Sequence, residues 1–340
     1  MTTVLLVTKT NDNDSVARVT AALEARGARA FRLDTDLFPT EVRLALSQPH
    51  GRSTLRTPAG EVVLGDLGAV WYRRNAIGHA LPREMDVQIR DAALKESRAT
   101  LQGMLESLPC FMMDRVSTVR AAEHKPRQLG LACEVGLDVP RTLTTNDPEA
   151  VHAFWALCHG RVVVKALSSF AIYDEVGREQ VVFTSVLPAE ELQHLDQLAL
   201  APMTFQEHLD KAIELRVTLI GPRVFAAAVD SQALEGARVD WRKEGSRLAH
   251  AWTPYVLPAE VSTALLRLAA RLGLSYGAAD IVVTPDGRHV FLEINPAGEW
   301  FWLDDVFGPR ALSTAIAETL LAPRPRPPGA PGAEHADGIC

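Results

Sequence analysis

The chain has 340 residues, with 35 Lys and Arg against 42 Asp and Glu (net charge −7), and 47% of it is hydrophobic. That is enough for two or three subdomains around a large core; the acidic balance argues against broad nucleic-acid binding, which needs a basic face, and no apolar run is long enough to cross a bilayer. Met1 to Val7 lacks the length and charge of a signal peptide, and Cys110, Cys133, Cys158 and Cys340 show no metal-ligand spacing. A cytoplasmic protein without disulfides is therefore expected.

Val4 to Thr8 reads as a short buried strand, followed by a helix through Val16, Val19 and Leu23 that stops at Gly27, and a second strand over Ala30 to Leu33. This is a β-α-β unit, extended by strands at 42–46, 53–57, 61–64 and 69–74, the last ending on Arg73 and Arg74. No G-x-G-x-x-G follows the first strand, so no dinucleotide site is expected there. A long helix spans 85–108, and Glu123-His124-Lys125-Pro126 opens another that runs to Gly136. Arg161 to Lys165 is a buried strand ending on a lysine. Thr204 to Leu209 and Glu214 to Ile220 are strands, and Gly221-Pro222 turns the second into 224–229. An amphipathic helix over 261–272 then leads into Gly277 to Pro296, the most informative stretch of the chain.

If Asp286-Gly287 forms a two-residue turn, Pro285 faces Arg288 and, counting outward, Asp280 faces Glu293. Side chains alternate along a strand, so Asn295 shares that face while Ile281, Val283, Leu292 and Ile294 point to the core. Opposed carboxylates repel, and a cation between them accounts for the arrangement; an all-oxygen set suits magnesium better than zinc. Lys125 at a helix start and Lys165 at a strand end are placed to reach phosphates. The backbone of Phe205-Gln206-Glu207-His208-Leu209 offers an edge to adenine. Arg216 either pairs with Glu214 on its own strand face or stabilises a transferring phosphoryl group. Each lysine alone is equally a solvated surface charge, the hairpin alone an acidic surface, and Trp300 to Trp302 either packing or a substrate wall. No Walker loop is present.

The order Lys125, Lys165, Gln206 to Leu209, Glu214 to Arg216, Asp280 and Glu293 to Pro296 resembles the ATP-grasp carboxylate ligases. Arg32 to Pro39, Val70 to Arg74, Val229 to Gln232, Asp240-Trp241-Arg242 and Asn295 to Trp300 narrow the resemblance to the microviridin or graspetide synthetases, which modify ribosomal peptides. The likeness runs up to the proline-rich tail. It implies an α/β (α+β) ATP-grasp fold: an N-terminal Rossmann-like pre-ATP-grasp domain (1–118), a central subdomain with the leader-binding region (119–200), a C-terminal antiparallel-sheet lobe with the metal site (201–321), and a disordered tail (322–340).

The resemblance also implies an ADP-forming ligase. A side-chain carboxylate of a precursor peptide attacks the terminal phosphate of ATP, and a Ser, Thr or Lys side chain captures the acyl phosphate as ester or amide. Lys125, Lys165, Gln206, Glu207, His208, Leu209 and Glu214 would meet the nucleotide; Arg216 and Arg242 would act on the transferring group and the acidic core; Asp280, Glu293 and Asn295 would hold Mg2+. Glu190 and Glu191, within 181–200, would meet a basic leader residue, and a homodimer is expected. A ligase for free amino acids or dipeptides, and a non-catalytic nucleotide-binding regulator, remain as alternatives.

Overall fold

The structure, a computed structural model, describes residues 1–49, 51–165 and 184–322, and the backbone of the short strands Ala171–Tyr173 and Glu179–Val181. The disordered tail expected at 322–340 therefore lies, but for Ala322, outside the described residues. Four parallel strands form the N-terminal sheet in the order Arg29–Asp34, Thr3–Thr8, Leu67–Tyr72, Phe111–Met113. Both its faces are covered, which is why Val4 to Val7 reads as an unbroken apolar run. Leu5, Val7 and Val70 pack under the helix Val87–Ser107 and the small antiparallel sheet Arg43–Ala45, Thr54–Thr57, Gly60–Val63. Val4, Leu6 and Trp71 pack on the other face, against the helix Ser15–Glu24 and against Leu312, Ala315 and Ile316 of the helix Ala311–Leu321. The end of the chain thus closes the core of its beginning.

The central sheet is antiparallel, in the order Ser185–Val186, Val162–Lys165, Met203–Glu207, Thr142–Thr145. Val162 and Phe205 point to a small core with Val151, Phe154, Leu187 and Leu198, supplied by the helix Pro148–Leu157 and the 3-10 segment Ala189–Leu200. Alternation then sends Val163, Lys165, Thr204 and Gln206 to the opposite face, which is open.

A five-stranded antiparallel sheet follows, ordered Thr253–Pro254, Arg223–Val229, Ile213–Ile220, Tyr276–Val283, His289–Asn295. Leu215, Val217, Leu219, Ile281, Phe291 and Ile294 bury one face with Leu265 and Leu268 of the helix Ala259–Leu272. The other face carries Glu214, Arg216 and Asp280. Among the described residues no helix is long and apolar enough to cross a membrane.

The acidic hairpin reaches the expected pairing by an unexpected route. Its turn has three residues, Pro285-Asp286-Gly287: the Thr284 amide donates to the Arg288 carbonyl (3.0 Å) and the Gly287 amide to the Thr284 carbonyl (2.9 Å), with Gly287 at φ +87°. A left-handed glycine at the end of a three-residue loop is the usual solution. Thr284, and not Pro285, therefore faces Arg288, a one-residue slip that would turn every later side chain to the wrong face. A β-bulge corrects it: Ile281 pairs with Phe291 but Asp280 with Glu293, leaving Leu292 as the extra residue. Ile281, Val283 and Ile294 lie in the core as expected; Leu292 instead lines the open cleft, and the fully buried Phe291 takes its place. Phe291→Ala should accordingly cost about 3–5 kcal/mol of stability. Leu292→Ala should leave the urea midpoint nearly unchanged; equal losses for the two would contradict this register.

Candidate active site

The open faces of the central and C-terminal sheets look at each other across a cleft. Glu207 to Lys211 is the strap joining the sheets, so its residues sit at the back of the cleft. Lys165, Gln206, Glu207, His208, Leu209 and Glu214 line it with Arg242, Asp280 and Glu293. A second cleft of about 560 Å³ adjoins it, sharing Lys165, Gln206, Leu292 and Glu293 and adding Lys125, Leu129, Cys133 and Val139. One charged end and two largely apolar walls suit a nucleotide.

The ionic contacts are specific. Lys125, at the start of the helix Lys125–Glu134, places Nζ 2.9 Å from Glu293 Oε2. Lys165 Nζ donates to Gln206 Oε1 (2.8 Å), whose Nε2 donates to Thr142 Oγ1 (3.0 Å), so Gln206 aims the lysine. Arg216 Nη1 lies 2.8 Å from Asp280 Oδ1, its neighbour across the ladder, and Nη2 donates to the Glu299 carbonyl at 3.0 Å. Asn295 Nδ2 donates to Glu293 Oε1 at 3.3 Å. Glu214 is not the partner of Arg216: although both point to the same face, Lys211 takes Glu214 (3.1 Å), and the residue opposite Arg216 wins it by distance. Glu190 and Glu191 are exposed on the 3-10 segment Ala189–Leu200 and line neither cleft.

Electrostatics follow from burial and neighbours. Burial alone would raise the Glu293 pKa, but Lys125, Lys165 and Arg242 hold it well below the usual carboxylate range. Burial lowers the pKa of Lys165, against the pull of Glu293. Burial works against the Arg242 charge too, yet the hydrogen bond and charge of Asp240 raise its pKa overall. A lysine with a depressed pKa loses its charge below the ordinary 10.5, and kcat/KM reports free-enzyme ionisations. The kcat/KM for ATP should therefore fall as pH rises through a pKa below 10.5, and Lys165→Arg should remove that limb. An unchanged pH profile in the arginine variant would count against Lys165 as a phosphate ligand.

Three further groups support these residues. Buried Asp240 grips the Arg242 guanidinium as a fork (Oδ1 to Nε 2.8 Å, Oδ2 to Nη2 2.7 Å), and the Asp-x-Arg spacing was the available signal. Gly298 lets the loop after Asn295 close on Arg216: a Cβ there would stand 2.6 Å from that of Ala278 and 2.8 Å from Arg216 Nη2. Glu299 accepts from Arg73 Nη2 (2.6 Å) and Asn13 Nδ2 (2.7 Å) and also pairs with Arg74, while Asp12 holds Arg73 at 3.0 Å. The first domain thereby braces the loop that holds Arg216. Of the aromatics, Trp300 is core, and the Arg216 guanidinium lies 6.0 Å from the Trp302 ring.

Asp280, Glu293 and Asn295 fit a divalent ion by their chemistry, two carboxylates and an amide oxygen. The described residues hold no group of three or more His, Cys, Asp or Glu able to cage a metal. Magnesium tolerates that, since it keeps waters and takes phosphate oxygens. The cations Lys125, Lys165, Arg216 and Arg242 face the carboxylates of Asp240, Asp280 and Glu293, which leaves one positive charge in excess for an anionic ligand.

Two antiparallel sheets facing each other across a cleft lined by paired lysines, arginines and carboxylates, behind a parallel-sheet domain, define an ATP-grasp ligase. Residues 3–120 match the family model described as the MvdD pre-ATP grasp domain. The chain is 44% identical to macrocyclase MdnC from Microcystis aeruginosa, solved bound with precursor peptide MdnA, over 94% of this chain and 99% of that one (TM-score 0.84). It is 38% identical to a RiPP-associated ATP-grasp ligase of Chryseobacterium gregarium, solved with ADP and a leader and core peptide, over 96% and 98% (TM-score 0.92). ATP-grasp ligase PsnB, solved with a phosphomimetic variant of its minimal precursor, Mg and ADP, is 25% identical over 94% and 98% (TM-score 0.71). Comparison with curated proteins gives no match. The chain belongs to the ATP-grasp ligases that macrocyclise ribosomally made peptides.

Proposed function

We propose that this protein uses ATP and Mg2+ to close rings in a ribosomal precursor peptide, joining Asp or Glu side-chain carboxylates to Ser, Thr or Lys side chains. The observation that carries the reading is the convergence of Lys125, Lys165, Arg216 and Arg242 on the Asp280–Glu293 pair. The peptide carboxylate attacks the terminal phosphorus and ADP leaves; the hydroxyl or amine then attacks the acyl carbon, and phosphate leaves with the electron pair of the C–O bond. Lys125 and Lys165 hold phosphates; the Glu207 to Leu209 strap binds adenine, with His208 and Glu214 beside it. Arg216 neutralises charge on the transferring group. Arg242, fixed by Asp240, holds the acidic core. Magnesium bound by Asp280, Glu293 and Asn295 would supply Lewis-acid polarisation of the phosphoryl oxygens.

Domains at 1–118, 119–200 and 201–321 divide the work, the last helix returning to the first domain. Glu190 and Glu191 are free to meet a basic leader residue, and the enzyme acts as a homodimer. Mixing the protein with ATP, magnesium and a precursor encoded beside it should release ADP and remove one water from the peptide per ring. ADP release that consumes free amino acids, with the peptide mass unchanged, would favour a small-substrate ligase instead.

A further inference from the structure

The N-terminal sheet carries a polar cavity that the chemistry above leaves unused. From the strand Thr3–Thr8 the chain pairs first on one side with Arg29–Asp34 and later on the other with Leu67–Tyr72. The carboxyl ends of the first and third strands therefore flank a switch point, where open α/β sheets receive ligands. On one face of the sheet Asp12 and Arg73 fill this crevice at 3.0 Å. On the other, beneath the helix Val87–Ser107, a cavity of about 300 Å³ stays open, with Thr35, Tyr72, Asn75, Arg98, Gln102 and Arg120 as its polar lining.

The lining contains two guanidiniums and no carboxylate. Arg120 Nη1 donates to Gln102 Oε1 at 3.1 Å, which leaves its remaining donors; Arg98 makes no hydrogen bond or ion pair among the described residues. Burial raises the Tyr72 pKa, so its hydroxyl stays protonated and able to donate. Converging guanidiniums, a phenol and amides make an anion site. The anion is not a nucleotide phosphate, because the turn Thr8 to Asp14 has no glycine to bring backbone amides against one. The Glu123 carboxylate, whose charge reaches Tyr72, offsets one of the two guanidiniums, and the single positive charge left over matches one carboxylate. The helix Val116–Ala122 that carries Arg120 leads to Lys125 five residues later, at the phosphate end of the main cleft. Five residues span at most about 18 Å, so a peptide with one carboxylate beside Lys125 can bring another of its residues to the cavity.

We propose that the Arg98–Arg120 cavity is a carboxylate subsite that takes an acidic side chain of the peptide substrate next to the one being activated. This rests on the peptide-ligase reading. The full chain, saturated with MgADP, is titrated by calorimetry with tetraglutamate blocked at both ends and, separately, with inorganic phosphate. The wild type should bind the peptide and not phosphate. The Arg98→Ala/Arg120→Ala variant should bind it roughly tenfold or more weakly, Arg98→Lys/Arg120→Lys should recover part of the affinity, and MgADP affinity should be equal in all three. Undetectable binding to the wild type, equal affinity in the alanine variant, or displacement of the peptide by phosphate at matched concentration would overturn the subsite. Both arginines are exposed, and matching thermal midpoints check that the variants fold. Failure of MgADP to bind would instead indict the nucleotide reading, while the tetraglutamate titration would still report on the cavity.

Discussion

Arg216→Ala should lower the rate of ADP formation in a single turnover by about 10³-fold, with a much smaller change in the affinity for ATP. The guanidinium is buried (5% exposed) between the Asp280 carboxylate and the Glu299 carbonyl, so its position is set before any substrate arrives. A preorganised charge in a site of low dielectric stabilises a developing negative charge without reorganising during reaction. Part of the loss will be structural: removing one partner of a buried pair leaves Asp280 uncompensated, at about 3–5 kcal/mol. Arg216→Lys separates the two effects. It keeps the charge beside Asp280 but loses the second arm to Glu299, so stability should recover more than rate. Single-turnover rates within tenfold of wild type for the alanine variant would remove Arg216 from the chemistry.

How much of this was legible from residues alone follows the range of the interactions involved. Strand alternation is local, so the strand ending on Lys165 and the shared face of Glu293 and Asn295 could be read directly, while Asp280 faces Glu293 as expected only because a bulge offsets the longer turn. The bulge at Leu292 could not: its cause is the match between a three-residue turn and the burial of Phe291, and neither shows in a period-two pattern. The helix Ala311–Leu321 went unread because it is apolar nearly all round, buried between the first sheet and Ile220 of the third. The Arg73 to Glu299 contact joins residues 226 positions apart, and nothing near either one signals the other. Glu214 stands among the candidate partners of Arg216 because residues two apart on a strand share a face, whereas the nearest opposite charge, Asp280, is on the neighbouring strand. Sequence patterning ranks neighbours within an element; the ladder register decides among neighbours between elements.

The same register makes Asp280 the residue on which nucleotide chemistry should depend most. It faces Glu293 across one ladder and Arg216 across the other, so a single carboxylate links the oxygen donors offered to magnesium with the cation offered to phosphate. Asp280→Ala should therefore reduce ATP turnover by about 10³-fold or more, the equivalent of losing several kcal/mol of charge stabilisation, and excess magnesium should restore little of it. Asp280→Asn keeps the volume and an oxygen but not the charge; it should lie between the two and need more magnesium to reach its own maximum. Leader binding should survive both changes, since the exposed Glu190 and Glu191 line neither cleft. Calorimetry with the leader segment, run beside ADP release, tests both halves. Turnover near wild type in Asp280→Ala would deny the metal its place, and loss of leader binding together with turnover would mean that the substitution had only unfolded the lobe.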